Sequence, residues 1–276
     1  MKNVVKTLLN FLVYSNIYLS FGASVVAWAT LFILNLPFDL PLLFIPFAGG
    51  MFIYNLNRHT DVREDTINVP ERRNFVDEYG RYFLGMGFIM YMVALYFALL
   101  KGFLTLFMAL LPGIIASFYS IKRLKKYFFF KNAVVGVSWG VTPLLVGFYN
   151  QVFGVEFLVL FVFFAITFFV NTVIFDVKDI VGDSGMKIET IPIKLGIKKT
   201  KTICYISNTL ALFLLLISNI MGILPVRSLV LLLFLAYIYL YINRAELKDG
   251  FFYGIFVDGE FVFLYFILLL LNIIWV

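Results

Sequence analysis

One cysteine and one histidine are all the thiol and imidazole that the 276-residue chain offers, and charged residues make up only 14% of it. Each shortage excludes something. Cys204 has no second cysteine to pair with, so no intrachain disulfide contributes to the framework. His59 has no other His or Cys near it, which argues against an imidazole- or thiolate-based transition-metal site and leaves it the role of a polar cap. With 62% hydrophobic residues and a mean hydropathy of +0.97, the chain has too little polar surface to cover a soluble globule. Lipid is therefore its solvent.

Hydrocarbon offers no partner to a backbone N–H or C=O, so only helices or closed barrels cross it, and the long unbroken apolar runs here select helices. The fold class is all-α. Runs long enough to span fall near 11–34, 40–57, 78–99, 103–120, 132–149, 156–175, 202–221, 226–242 and 255–275, which predicts nine transmembrane helices in a single domain over 1–276. The first run follows two lysines and shows no small-residue cleavage site, so residues 1–34 are expected to be a retained span. If the N-terminus is cytoplasmic, 20 of the 22 basic residues lie in inner segments and only Lys101 and Arg227 face outward. That asymmetry is the positive-inside pattern, and it places the protein in the cell (inner) membrane with its polar loops toward the cytoplasm.

Ten of the 16 carboxylates crowd into two of those inner loops, at about 57–78 and 176–200. Orientation does not require this, because acidic residues count little for topology. The first loop begins Asn57-Arg58-His59-Thr60-Asp61-Val62-Arg63-Glu64-Asp65, with Asn57, Asp61 and Asp65 four apart on one helical face. In the second, which follows Asn171, Asp176, Asp179 and Asp183 fall at i, i+3 and i+7, again on one face. Carboxylates stacked in this way repel unless a cation sits between them. Mg²⁺ is bound by one or two carboxylates together with substrate phosphate oxygens, so two such half-sites facing each other would clamp a diphosphate. Arg72, Arg73, Lys122, Arg123, Lys125 and Lys126 supply cations for the remaining phosphate oxygens. Lys126, Lys131, Lys198, Lys199 and Lys201 read first as charges that hold loops inside. Glu71, Asp77, Glu78 and Glu189 read as solvated loop residues.

These two blocks, the Thr190-Ile191-Pro192-Ile193-Lys194-Leu195-Gly196 that trails the second, and the Tyr119-Ser120-Ile121-Lys122-Arg123 at the end of the fourth run together resemble the UbiA superfamily of intramembrane prenyltransferases. The resemblance covers essentially the whole chain. It implies nine helices around a central cavity that opens laterally to lipid, and Mg²⁺ ions bridging the aspartates to a prenyl diphosphate. It further implies metal ligands at Asp61, Asp65, Asp176, Asp179 and Asp183, with Asp61 and Asp183 essential to catalysis. Diphosphate contacts are implied at Asn57, Arg72, Tyr119 and Lys122, Arg123 or Lys125. The chain departs from the family where many members carry a second aspartate directly after the motif asparagine, since Arg58 stands there.

The expected chemistry is transfer of a prenyl group, of geranyl to geranylgeranyl length, to an aromatic or lipid-like acceptor. The partners are then a prenyl diphosphate, a lipophilic acceptor and membrane lipid, and no nucleic acid. Charge neutralisation lets the allylic C–O bond ionise, and some of the 34 Phe and 16 Tyr would line the cavity and stabilise the cation without quenching it. Asp183 or Asp65 would accept the proton that is lost. Two rivals are weighed. A transporter or channel also carries intramembrane carboxylates, but these aspartates gather at one face of the bilayer and no pair of broken helices marks a midplane site. A lipid phosphotransferase would show a D-G and A-R string ahead of its aspartates, and none is present. Asn16 and Ser20 in the first run are expected to make interhelical hydrogen bonds. Gly49-Gly50 is expected to permit close helix packing, and Asp258 and Glu260 lie either at the cavity or at the interface.

Overall fold

The computed structural model describes residues 2–60, 66, 69–121, 128–186, 188–246 and 252–274, with backbone only for 2, 3, 117–121 and 274. No strand occurs among them. The helices are α1 (Lys2–Tyr14), α2 (Ile17–Ile33), α3 (Leu40–Thr60), α4 (Pro70–Leu100), α5 (Phe103–Ile121), α6 (Phe130–Asn150), α7 (Val155–Lys178), α8 (Ile180–Gly185), α9 (Ile191–Ile220), α10 (Leu231–Arg244) and α11 (Gly259–Ile274). A 3₁₀ turn, Val226–Val230, leads into α10, and a π-helical turn, Phe252–Val257, leads into α11. Seven helical segments are long and apolar enough to cross a membrane, and α1 with α2 forms an eighth if the bent pair is one span. The apolar stretch Phe103–Ala116 of α5 is shorter.

The first apolar run is not one straight helix. It bends by 67° between α1 and α2, where Asn16 takes the left-handed conformation (φ 64°, ψ 9°) that asparagine tolerates better than most residues. Asn55 of α3 compensates for the break. Its Nδ2 donates to Ser15 O (3.2 Å) and Met51 O (2.7 Å), while Asn16 Nδ2 donates to Asn55 Oδ1 (3.1 Å). The hydrogen bond expected of Asn16 is thus present. Ser20 differs, because its hydroxyl is buried with no hydrogen-bond partner among the described residues. It packs instead against Gly50, where an added Cβ would lie 2.9 Å from Ser20 Oγ.

The motif-bearing segments also differ from the expected loops, for much of each is helical. At 31 residues α4 is about 46 Å long. That exceeds a hydrocarbon core of about 30 Å, so its first turns, with Glu71, Arg72, Arg73, Asp77 and Glu78, project beyond it. In the second block α7 continues through Lys178, and α9 begins at Ile191. Gly196 (φ 76°, ψ 160°) breaks α9 between a short first turn and the long span, in a conformation only glycine adopts without strain.

Two buried clusters share α2 and α6. One joins them to α7, α9, α10 and α11 through residues such as Phe164, Phe168, Phe234 and Phe261, and the other joins them to α3, α4 and α5 through Leu31, Ile45, Ala94 and Leu145. Large apolar side chains are left outside in helical stripes, such as Ile206, Leu210, Phe213 and Ile217 on α9. Such stripes suit lipid contact.

Candidate active site

A cavity of about 260 Å³ opens among α1, α3, α6, α7 and the π-helical turn. The end of α7 builds one wall. Its apolar run stops at Asp176, Asp179 bridges α7 and α8 with near-helical geometry (φ −91°, ψ 5°), and Asp183 N donates to Asp179 O at 2.9 Å. The helical path therefore carries on far enough to bring Asp176, Asp179 and Asp183 onto the same cavity wall. Ile188 N closes the turn by donating to Asp183 O at 3.0 Å.

Cations meet these carboxylates from other elements. Lys131 Nζ pairs with Asp176 Oδ1 at 2.7 Å, and Asn132 Nδ2 donates to Asp176 Oδ2 at 2.9 Å, both from the start of α6. Lys178 pairs with Asp179. Arg58 from α3 and Arg72 from α4, which precede and follow Asp61 and Asp65 in the sequence, line the same cavity. Among the described residues four cations (Arg58, Arg72, Lys131, Lys178) thus line the cavity with four carboxylates (Asp176, Asp179, Asp183, Asp258). Their formal charges cancel. A bound diphosphate would bring several negative charges into this balance, so it demands further cations.

The residues present fit such a cation. Asp183 Oδ2 is buried with no hydrogen-bond partner among the described residues. Burial, with Asp176 and Asp179 adding repulsion and Lys131 opposing them, pushes its carboxyl up to about 7. No group of three or more His, Cys, Asp or Glu side chains among the described residues could hold a metal alone.

Away from the aspartates the cavity becomes aromatic, with Tyr14, Tyr18, Tyr54, Trp139, Phe168 and Phe175 on its walls. Trp139 stacks on Phe168 (3.9 Å between ring centres) and donates its indole N–H to Tyr54 Oη at 2.6 Å. This pair also borders a second, apolar hollow of about 110 Å³ lined by Ile45, Gly49, Ile53, Met108 and Pro112. Asn57 lines that hollow, whereas Arg58, one residue and about 100° further round α3, lines the aspartate cavity. Arg58 therefore places a positive charge where the first motif would otherwise offer one more ligand.

Asp61, Asp65, Lys122, Arg123 and Lys125 lie outside the described residues, as does the side chain of Tyr119, whose backbone lies in the last turn of α5. Lys131, read from sequence as a topological charge, instead faces the cavity in an ion pair. The roles of Lys178 and Asn132 were not foreseen either. Local sequence carried no signal for Lys131 and Asn132, because their partner Asp176 is more than 40 residues away and only the packing of α6 on α7 brings them together. Asp258 is buried at the cavity rather than interfacial, and Glu260 is buried beside it, accepting from Asn171 Nδ2 at 2.8 Å. An acidic pair inside an apolar span was the available cue.

Similar backbones are known. A digeranylgeranylglyceryl phosphate synthase structure matches with a TM-score of 0.60 and 21% identity over 96% of each chain. A UbiA homologue from Aeropyrum pernix matches at 0.69 and 16% identity, over 91% of this chain and 98% of that one. A UbiA homologue from Archaeoglobus fulgidus, bound to GPP and Mg²⁺, matches at 0.65 and 14% identity, over 93% and 99%. At such identities these likenesses speak for the fold alone. No curated protein matches by sequence. The model of the UbiA prenyltransferase family, however, matches residues 19–267, nearly the full length on which the two aspartate blocks and their apolar helices are strung, and the chain belongs to that family.

Proposed function

We propose that the protein transfers a prenyl group from a prenyl diphosphate of geranyl to geranylgeranyl length to a lipophilic acceptor, aromatic or lipid-like. In this reading it has nine spans in the cell membrane, an N-terminus in the cytoplasm and its aspartate cavity at the cytoplasmic face. The single observation that carries the reading is the cavity's charge: four carboxylates, three of them stacked aspartates, and four cations whose formal charges cancel, beside a wall of aromatic rings. That combination suits a ligand with a highly charged head and a hydrocarbon tail.

Asp176, Asp179 and Asp183 would hold Mg²⁺ with Asp61 and Asp65 of the first motif. Mg²⁺, when bound, supplies positive charge to the departing diphosphate. Lys131 and Lys178, paired with Asp176 and Asp179 here, are placed to move onto phosphate oxygens, together with Arg58 and Arg72. Tyr119, Lys122, Arg123 and Lys125 are proposed to reach the diphosphate from the end of α5, and Asn57 to border the site where it meets the apolar hollow. The rings of Tyr54, Trp139 and Phe168 would face the allylic cation, stabilise it through their π-faces and shield it from water. A donor chain would extend toward the hollow behind Trp139. The Archaeoglobus relative's bound GPP and Mg²⁺ supports this choice of donor and ion, and likeness to the digeranylgeranylglyceryl phosphate synthase keeps a glycerol phosphate ether among the acceptors.

The test is incubation of the purified protein with Mg²⁺, geranyl or geranylgeranyl diphosphate and an acceptor panel containing 4-hydroxybenzoate and geranylgeranylglyceryl phosphate, with products read by mass. A prenylated product and Mg²⁺-dependent release of diphosphate are expected. Absence of both, with donor binding also absent, would reject the function.

A further inference from the structure

We infer that Asp258 is a further catalytic residue, the carboxylate that takes the proton of the acceptor's nucleophilic hydroxyl. The inference rests on the prenyl-transfer reading and assigns the acceptor to the end of the cavity formed by the α1–α2 bend and the π-helical turn.

Of the four described carboxylates that line the cavity, three belong to the second aspartate motif, and two of these, Asp176 and Asp179, are paired with lysines. Asp258 is the fourth. It stands in a span whose only other charged residue is Glu260, is 7% exposed, and still faces the cavity. Placing an ionisable group there is costly unless it has a task. The backbone is shaped to present it. Asp258 N donates to Tyr253 O (3.3 Å), five residues back, in the wider π-type spacing that is rare and frequent at functional sites. Two hydroxyls from other helices fix that turn: Tyr18 Oη donates to Ile255 O at 3.3 Å, and Tyr237 Oη donates to Phe256 O at 2.7 Å. Gly259 leaves room for them, since a Cβ there would lie 2.9 Å from Tyr237 Oη.

Asp258 also stands on a different element from the motif aspartates. Asn10, Asn16 and Tyr18 from the bend give the cavity neutral polar groups, while Arg58 and Lys178 act on Asp258 electrostatically. The neutral groups suit the head of an alcohol, and the cations favour the ionised carboxylate that accepts its proton. Glu260 plays a positioning part, because it is buried and holds Asn171, which flanks Asp258.

The step balances within the two substrates. The donor C1–O bond breaks and its electron pair leaves with diphosphate, the acceptor oxygen forms the new bond to C1, and the hydroxyl proton passes to the Asp258 carboxylate, from which water removes it. No oxidant or further reactant is needed.

The experiment compares wild type with Asp258→Asn and Asp258→Glu in two assays. One measures binding of Mg²⁺ and geranylgeranyl thiolodiphosphate, an unreactive donor analogue, and the other measures kcat for transfer to geranylgeranylglyceryl phosphate and 4-hydroxybenzoate. Asp258→Asn is expected to bind the analogue within about threefold of wild type while kcat falls by about 100-fold or more, the usual contribution of a positioned base. Asp258→Glu is expected to recover part of the rate. Analogue binding lost in Asp258→Asn would overturn the inference, because the residue would then serve the fold or the donor. So would a kcat within about threefold of wild type in Asp258→Asn. If wild type itself neither binds the analogue nor transfers to an acceptor, the broader reading fails instead.

Discussion

Replacing Gly136 with alanine tests whether the spacing of α6 and α7 sets the geometry of the aspartate cavity. A Cβ at Gly136 would lie 2.5 Å from Ala165 O and 3.1 Å from Phe169 N, and one turn later a Cβ at Gly140 would lie 2.7 Å from Phe161 O. The obstacles are backbone atoms of α7, which cannot swing aside. Carbon approaches a carbonyl oxygen to about 3.3 Å, so α6 must retreat by about 0.8 Å at Gly136. Lys131 and Asn132 ride on the same helix, and their contacts with Asp176 at 2.7 and 2.9 Å would stretch to the edge of hydrogen-bonding range or beyond. Overpacking of this kind costs about 1–3 kcal/mol, and displacement of reacting groups by about 1 Å can cost up to about 100-fold in rate. Gly136→Ala should therefore lower the melting temperature in detergent and reduce kcat/KM for prenyl transfer by at least about tenfold. Gly85→Ala is the control, since a Cβ there meets nothing within 4 Å. A Gly136→Ala protein with the melting temperature and kcat/KM of wild type would refute the reasoning.

Other perturbations separate the cavity's parts. Asp183→Ala and Asp61→Ala should each abolish Mg²⁺-dependent transfer while leaving the helical circular dichroism of wild type, and substantial turnover in both would remove the aspartates from the mechanism. Chelating divalent ions with EDTA should stop transfer, and adding Mg²⁺ should restore it; full activity in EDTA would show that no ion is needed. Lys131→Ala leaves Asp176 to Asn132 alone and should raise KM for the prenyl diphosphate more than it lowers kcat, which initial-rate kinetics would reveal. Arg73 pairs with Asp77 on the surface of α4, a contact of about 0.3–0.5 kcal/mol, so Arg73→Ala should shift the melting temperature little. For topology, Cys204 is buried, and a single cysteine introduced at Lys198 should react with an impermeant maleimide only from the cytoplasmic side.

Hydropathy and charge along the chain were enough to establish an all-helical membrane protein, because lipid leaves the backbone only helices or closed barrels and the long unbroken apolar runs select helices, whose span length follows from bilayer thickness. The second aspartate stack was legible for a similar reason: residues i, i+3 and i+7 share a face wherever the helical path continues, and here it continues through Asp179. Other features depended on contacts between distant segments. The bend at Asn16 had no proline or glycine to announce it, and it stands because Asn55 of another helix takes up the released carbonyl of Ser15. Whether Asn57 or Arg58 faces the aspartates depends on how α3 is rotated against its neighbours, which packing decides. Lys131 and Asn132 meet Asp176 only because Gly136 and Gly140 let α6 lie against the backbone of α7. Asp258 reaches the cavity only because tyrosines from two other helices hold a π-helical turn in place. Local spacing can put side chains on one face of a helix, but only tertiary packing chooses what that face meets.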